Sequence, residues 1–228
     1  SFVNQMINAS ALDNGLHAGD LKFVDLDGNN KIEQTTSAND RKDMKVIGNS
    51  LPRYNYNFGI SADWYGIDFS VLFQGIGKQN WYPGAETSMF WGPYSRPYAS
   101  FIPSDFMSQV WSEENTDAYF PRPRGYVALG SNRELAVVNT KYLQNLAYCR
   151  LKNLSIGYTL PDKWLSKIGF EKIRVYFSGE NLLTFTKLHS DYIDPEQASA
   201  SNSWKTSKSD ANIYPWAKTY SFGVDITF

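Results

Sequence analysis

The stretch Thr219-Tyr220-Ser221-Phe222-Gly223-Val224-Asp225-Ile226-Thr227-Phe228 decides the reading of the fold. Tyr220, Phe222, Val224, Ile226 and Phe228 alternate with Thr219, Ser221, Gly223, Asp225 and Thr227. One set is wholly apolar and the other wholly small or polar. A period of two over this length predicts a strand whose two faces meet different environments. The sequence stops on Phe228 with no polar tail, although free carboxyl ends of soluble domains usually fray into water.

The same alternation recurs upstream. Tyr54, Tyr56, Phe58, Ile60, Ala62 and Trp64 oppose Asn55, Asn57, Gly59, Ser61 and Asp63. After Tyr65-Gly66 come Ile67, Phe69, Val71 and Phe73 against Asp68, Ser70 and Gln74, with Leu72 the exception, which predicts a hairpin with a tight turn. A third strand ends with Leu154, Ile156, Tyr158 and Leu160, and a fourth begins with Ile173, Val175 and Phe177. The links alternate in length: Tyr65-Gly66 and Pro161 to Lys172 are short, whereas Gly77 to about Thr140 and Leu188 to about Ile213 are long. Short turns on one side and long loops on the other are the pattern of an outer-membrane β-barrel. With Phe228 on the periplasmic side, both short links fall there too. Aromatics at the strand ends, including Trp64, Tyr158, Tyr214 and Trp216, suit rings placed at two water–lipid interfaces.

The expected fold is therefore all-β, the C-terminal strands of a large antiparallel transmembrane barrel with long extracellular loops. The expected divisions are an extracellular loop with an Asp-rich turn (1–53), a hairpin (54–76), a long extracellular loop (77–140), a strand pair (141–187), a further loop (188–213) and the closing strand (214–228). Five strands cannot close a barrel of transporter size. The start, Ser1-Phe2-Val3-Asn4, has neither a Met nor a signal peptide's basic and apolar regions, so the chain reads as a fragment.

Composition agrees. The 228 residues include 15 Tyr, 14 Phe and 7 Trp, yet mean hydropathy is −0.43, so rings sit among polar neighbours. No run approaches the roughly 18 apolar residues of a transmembrane helix. A formal net charge of −1 with scattered Lys and Arg argues against nucleic acid as a partner. The single Cys149 excludes a disulfide within the chain.

Several stretches carry a family likeness. Tyr142-Leu143-Gln144-Asn145-Leu146-Ala147-Tyr148-Cys149-Arg150-Leu151-Lys152-Asn153-Leu154-Ser155-Ile156-Gly157-Tyr158-Thr159-Leu160-Pro161 resembles the penultimate-strand signature of SusC/RagA-type TonB-dependent transporters of Bacteroidota. So do Gly179-Glu180-Asn181-Leu182-Leu183-Thr184-Phe185-Thr186-Lys187 with Asp194-Pro195-Glu196, the run Tyr65 to Gly75, Ile47 to Pro52, and Gly19 to Asn29. Cys149 stands where the family usually has an aliphatic residue.

The resemblance implies a barrel of about 22 strands with a plugged lumen. It also implies residence in the outer membrane of a Gram-negative bacterium, and uptake of oligosaccharides or peptides driven through the TonB complex. The implied partners are a SusD-like surface lipoprotein as lid, lipid and lipopolysaccharide around the wall, and the barrel-assembly machinery, for which Phe228 resembles the terminal signal. The plug and the TonB-binding segment are not in this sequence.

Asp25-x-Asp27-Gly28-Asn29-x-Lys31 resembles the first half of a calcium loop, in which alternate oxygen ligands suit a hard cation. The candidate ligands are Asp25, Asp27, Asn29 and the Lys31 carbonyl. To these the family pattern adds an acid before an arginine, here Asp40 before Arg41. Position six is Asn30 rather than Gly, and position twelve is Thr36 rather than an acid. Asn tolerates the left-handed turn required at position six. An acidic hairpin without an ion is the other reading. In the long loop, Trp81, Tyr82, Trp91 and Tyr94 are candidates for contact with substrate or lid, and packing of the loop's own core is the alternative.

Catalysis is not expected. His17 and His189 lie far apart, with no nucleophile motif beside either. Asp191, Asp194 and Glu196 read as solvated turn residues rather than a hydrolase pair. A secreted carbohydrate-binding β-sandwich and a passive porin are the rival readings.

Overall fold

The computed structural model describes residues 17–35, 37, 39–95, 102–130, 134–166, 169–201, 208–209 and 214–228. Thr36, residues 1–16 of the first expected loop and much of 202–213 lie outside them. The chain forms two compact units, one of residues 1–48, 82–143 and 206–212, the other of residues 49–81, 144–205 and 213–228. The first is called the loop unit below and the second the wall unit.

The wall unit is built on a five-stranded sheet of β1 (Arg53–Trp64), β2 (Ile67–Lys78), β5 (Tyr148–Thr159), β6 (Lys172–Thr186) and β8 (Thr219–Thr227), in that order. Every neighbouring pair is antiparallel. The strands match the alternating stretches of the sequence, although the closing strand is regular only from Thr219. Between them in the chain, β3 (Asn80–Pro83) pairs at Asn80 and Trp81 with β4 (Gln144–Asn145), and at Tyr82 and Pro83 with β7 (Lys208–Ser209). Among the described residues, no helix is long and apolar enough to cross a membrane.

Register makes the sheet's faces explicit. Ala62, Phe69, Ile156, Phe177 and Phe222 form one row across all five strands. Phe58 stacks on Phe73 at 5.0 Å, and Phe177 lies 5.2 Å from Phe222. This apolar face is open: Phe222 is 83% exposed and Ile60 61%. A sandwich would cover such a face with a second sheet, whereas a barrel wall leaves it to lipid. On the opposite face, Ser61, Ser70, Ser155, Ser178 and Ser221 stand in one row. The Ser61 and Ser70 hydroxyls lie 3.1 Å apart.

Two irregularities interrupt this order. Leu72 pairs with Asn153 but Phe73 with Leu151, so β5 holds one extra residue, Lys152. Leu151 pairs with Leu183 and Asn153 with Glu180, so β6 in turn holds one extra residue, beside Asn181 at φ 54°. Each is a β-bulge, and Asn is among the few side chains that accept the left-handed conformation. The Glu180-Asn181-Leu182 part of the sequence signature is this bulge.

The β1–β2 turn places Tyr65 at φ 47° and Gly66 at φ 83°, positive at both central positions as a type I′ hairpin requires. Beside the turn, the Thr159 amide donates to the Gly66 carbonyl at 2.7 Å. On the polar face near the short links, the Arg174 guanidinium grips Asp68 with two bonds of 2.8 and 2.6 Å and reaches Asp225 at 3.1 Å. Arg174 crosses β5 to do so. Any side chain at Gly157 would block it, since a Cβ there would lie 2.3 Å from Asp68 and 2.6 Å from Arg174.

The loop unit has little regular structure, a helical turn at Ser88–Trp91 and 3-10 turns at Gly92–Tyr94, Phe106–Gln109 and Gly125–Leu129. Packed rings hold the unit: Phe106 stacks on Phe120 at 4.7 Å, Phe120 on Tyr142 at 5.9 Å, and Trp91 meets Tyr142 edge-on at 5.2 Å. A buried ion-pair group accompanies them. Asp20 binds Arg122 at 2.7 Å and lies 4.0 Å from Arg124, which also pairs with Glu134.

Candidate functional site

The Asp-rich turn closes as its residue types dictate. Asp25 accepts hydrogen bonds from the Gly28 and Asn30 amides, both at 2.7 Å, and Asn30 takes the left-handed conformation at φ 64°. Partial desolvation works against the charge on Asp25, but these two amide bonds outweigh it and hold its carboxyl below the usual carboxylate range. Asp27 accepts from the Asn29 amide at 3.1 Å and from its side chain at 3.0 Å. The Asn29 side-chain oxygen is turned to its own backbone, where the Lys31 amide donates to it at 2.7 Å.

The third carboxylate is Asp43, not Asp40. One carboxylate oxygen from each of Asp25, Asp27 and Asp43 lies within 4.8 Å of the others. Asp43 is drawn in because its two oxygens accept the Leu26 and Glu33 amides at 2.6 and 2.7 Å. Asp40 instead pairs with Lys42, 3.3 Å away. The expected ligand set is corrected accordingly: the turn at 41–44, with Lys42 at φ 48°, carries Asp40 away and brings Asp43 back. Three converging carboxylates are a donor set that suits a hard cation such as calcium.

The four aromatic candidates are also placed differently from the expected contact role. Trp81, Tyr82 and Trp91 are 0% exposed and Tyr94 is 1% exposed, so their ring faces are covered within the chain. Their polar tips are satisfied internally: the Tyr82 hydroxyl donates to the Leu135 carbonyl at 2.7 Å, the Trp91 indole to the Pro83 carbonyl at 3.3 Å, and the Tyr94 hydroxyl to the Pro121 carbonyl. Burial pushes the Tyr82, Tyr94 and Tyr142 phenols well above their ordinary range. This burial favours the packing alternative for these rings. A loop this long needs a core of its own, and aromatic side chains supply the most buried area per residue.

In the wall unit, Asp194 and Glu196 are not solvated turn residues. Arg150, 2% exposed, donates to Asp194 at 2.7 Å, to Glu196 at 2.8 Å and to the Thr184 hydroxyl at 2.9 Å. Lys152 reaches Glu196 at 3.3 Å and lies over the Trp216 ring at 5.2 Å. Asp194 also caps the helix Pro195–Ser201, accepting from the Glu196 and Gln197 amides at 2.9 and 3.3 Å. Its other oxygen accepts the Trp216 amide at 3.3 Å. The signal was in the sequence: Asp followed by Pro is an N-cap before a favoured first helical residue. Asp191 has no part in these bonds. Phe228 is exposed, with its ring 5.1 Å from Phe170.

No family profile matches the chain. It is 31% identical over 212 residues to TonB-dependent receptor P3 of Formosa agariphila, covering 90% of this chain and 19% of the relative. TonB-dependent receptor P26 of the same organism is 26% identical over 227 residues, covering 97% of this chain and 21% of the relative. The chain thus spans about a fifth of the length of the curated relatives it matches. Among solved structures it is similar to the RagAB peptide importer in its closed-closed state, with a TM-score of 0.56 and 24% identity over 90% of this chain and 20% of that one. The open-open state gives a TM-score of 0.55 and 22% identity, covering 86% of this chain and 19% of that one. Those two likenesses concern the fold.

Proposed function

We propose that this chain is a stretch of the β-barrel wall of a TonB-dependent receptor of the SusC/RagA type, and that the protein it forms part of imports oligosaccharides or peptides across the outer membrane of a Gram-negative bacterium. Force would come from the TonB complex, and a SusD-like lipoprotein would serve as lid. The observation that carries this reading is the two-faced sheet. One face is apolar and open along five strands, as contact with lipid would tolerate. The other bears serines and paired charges, as a wetted interior would. The likeness to a peptide importer supports cargo of that general kind. The loops between the long-link ends would face outward and present the Asp25 turn there. The barrel-assembly machinery would read the exposed Phe228.

Fractionation and uptake test the proposal together. The full-length protein should appear in the outer-membrane fraction as a heat-modifiable band and co-purify with a surface lipoprotein. Deleting it, or removing TonB, should abolish uptake of its labelled oligosaccharide or peptide. Recovery as a soluble secreted protein would favour the carbohydrate-binding sandwich. Uptake that survives loss of TonB would favour a passive porin.

A further inference from the structure

Four non-helical stretches of the loop unit, within 21–26, 32–34, 43–47 and 137–141, border an open cavity of about 320 Å³. That is within the roughly 300–1,000 Å³ of small-ligand pockets. The apolar part of its wall is largely aliphatic, from Leu21, Leu26, Ile32, Ile47, Val137 and Val138, with Phe23 the one ring, and Gln34, Asn139 and Thr140 lie among the polar remainder. Sugars stack on flat ring faces, and this wall offers a single ring.

The charges at the cavity are unevenly committed. The two acids that line it are engaged within the Asp-rich turn. Asp43 accepts the Leu26 and Glu33 amides, and Glu33 accepts from the Asn29 side chain at 3.2 Å with Lys42 3.8 Å away. Three lysines also line it: Lys22, Lys45 and Lys141. Among the described residues, no carboxylate lies within ion-pair distance of Lys45 or Lys141. Burial lowers the affinity of the Lys141 amine for its proton, and Asp117 reverses only part of this. An incoming carboxylate would restore what that ammonium loses on leaving water.

We propose that this cavity is a binding site for a branched aliphatic group carrying a neighbouring carboxylate, the hydrocarbon against Val137, Val138 and Leu21, the acid at Lys45 and Lys141. Both a free aliphatic acid and the last residue of a peptide have this chemistry. The site stands apart from import, because occupancy is measurable on purified protein without transport.

The test titrates the full-length protein in nanodiscs with N-acetyl-leucine, its neutral amide, and 4-methylpentanoate, read by ligand-observed NMR. The acid should bind at least about tenfold more tightly than the amide, the scale of one charge-assisted contact. Equal binding of 4-methylpentanoate assigns the site to free acids, and its failure beside N-acetyl-leucine assigns it to peptide ends. Val138→Phe should fill the cavity and abolish binding of both acids. Lys45→Glu, at an exposed position that leaves the fold intact, should weaken the acids about tenfold and leave the amide unchanged. The proposal is overturned when neither acid binds at millimolar concentration, when the amide binds as well as the acid, or when Lys45→Glu has no effect.

Discussion

At the scale of single residues, charge placement is where the structure departs most from the sequence. Asp25, Asp27 and the left-handed Asn30 were legible, because alternate acids around a turn follow from spacing alone. Asp43 was not, since its arrival depends on how the chain doubles back through 41–44 and takes the Leu26 and Glu33 amides. The difference is measurable. Calcium should raise the melting temperature of the full-length protein, Asp43→Asn should cancel that rise, and Asp40→Asn should preserve it. A terbium luminescence titration would report the same order directly. Arg150 poses a sharper case, as an enclosed guanidinium shared by Asp194, Glu196 and Thr184. Arg150→Met takes the guanidinium from both carboxylates and leaves Glu196 with Lys152 alone, and breaking such a buried pair costs about 3–5 kcal/mol. Adding Asp194→Asn to that variant should recover much of the loss in thermal unfolding, because it removes the carboxylate left without its cation.

At the scale of elements, the strands were readable because a period of two survives any tertiary context that keeps one face apolar. The bulges were not, because an extra residue looks like ordinary sequence until pairing is known. Lys152 and Asn181 show this: neither breaks the polar and apolar alternation strongly enough to be noticed. The β1–β2 turn permits a prediction in which magnitudes decide. Gly66→Ala puts a Cβ at φ 83° and 2.8 Å from the Thr159 carbonyl, so it should destabilise the hairpin by about 1–2 kcal/mol. Tyr65→Asn relieves a left-handed tyrosine, worth about 1 kcal/mol. It also removes a ring that meets Trp64 edge-on at 5.2 Å, worth about 0.5–1.5 kcal/mol. These terms oppose each other, so Tyr65→Asn should be near neutral in urea titrations where Gly66→Ala is not.

At the scale of the whole molecule, the contrast between the sheet's faces sets what each will tolerate. Phe222 lies mid-strand in the row Phe69, Ile156, Phe177 and Phe222, and Ser178 lies one residue along on the opposite face. Phe222→Lys should cost about 2–4 kcal/mol in a bilayer and reduce the folded, heat-modifiable band in the outer membrane. Ser178→Lys should leave that band near its normal level, since a charge there meets water rather than acyl chains. The loop unit was the least legible part. Its rings looked available for ligands, but whether Trp91 or Tyr94 faces outward depends on contacts among distant segments, and the structure buries both.

The extra residue in β5 has a practical consequence for anyone mapping this wall with chemical probes. Counting by twos from Ile156 assigns Cys149 to the polar side, yet it pairs with Gly75 and Phe185 beyond the bulge and shares the apolar face with Leu151. A thiol-reactive label on the native cysteine would therefore report from the hydrocarbon side, quenched by lipid-soluble agents and shielded from aqueous ones. Any topology inferred from residue parity above Lys152 would come out inverted.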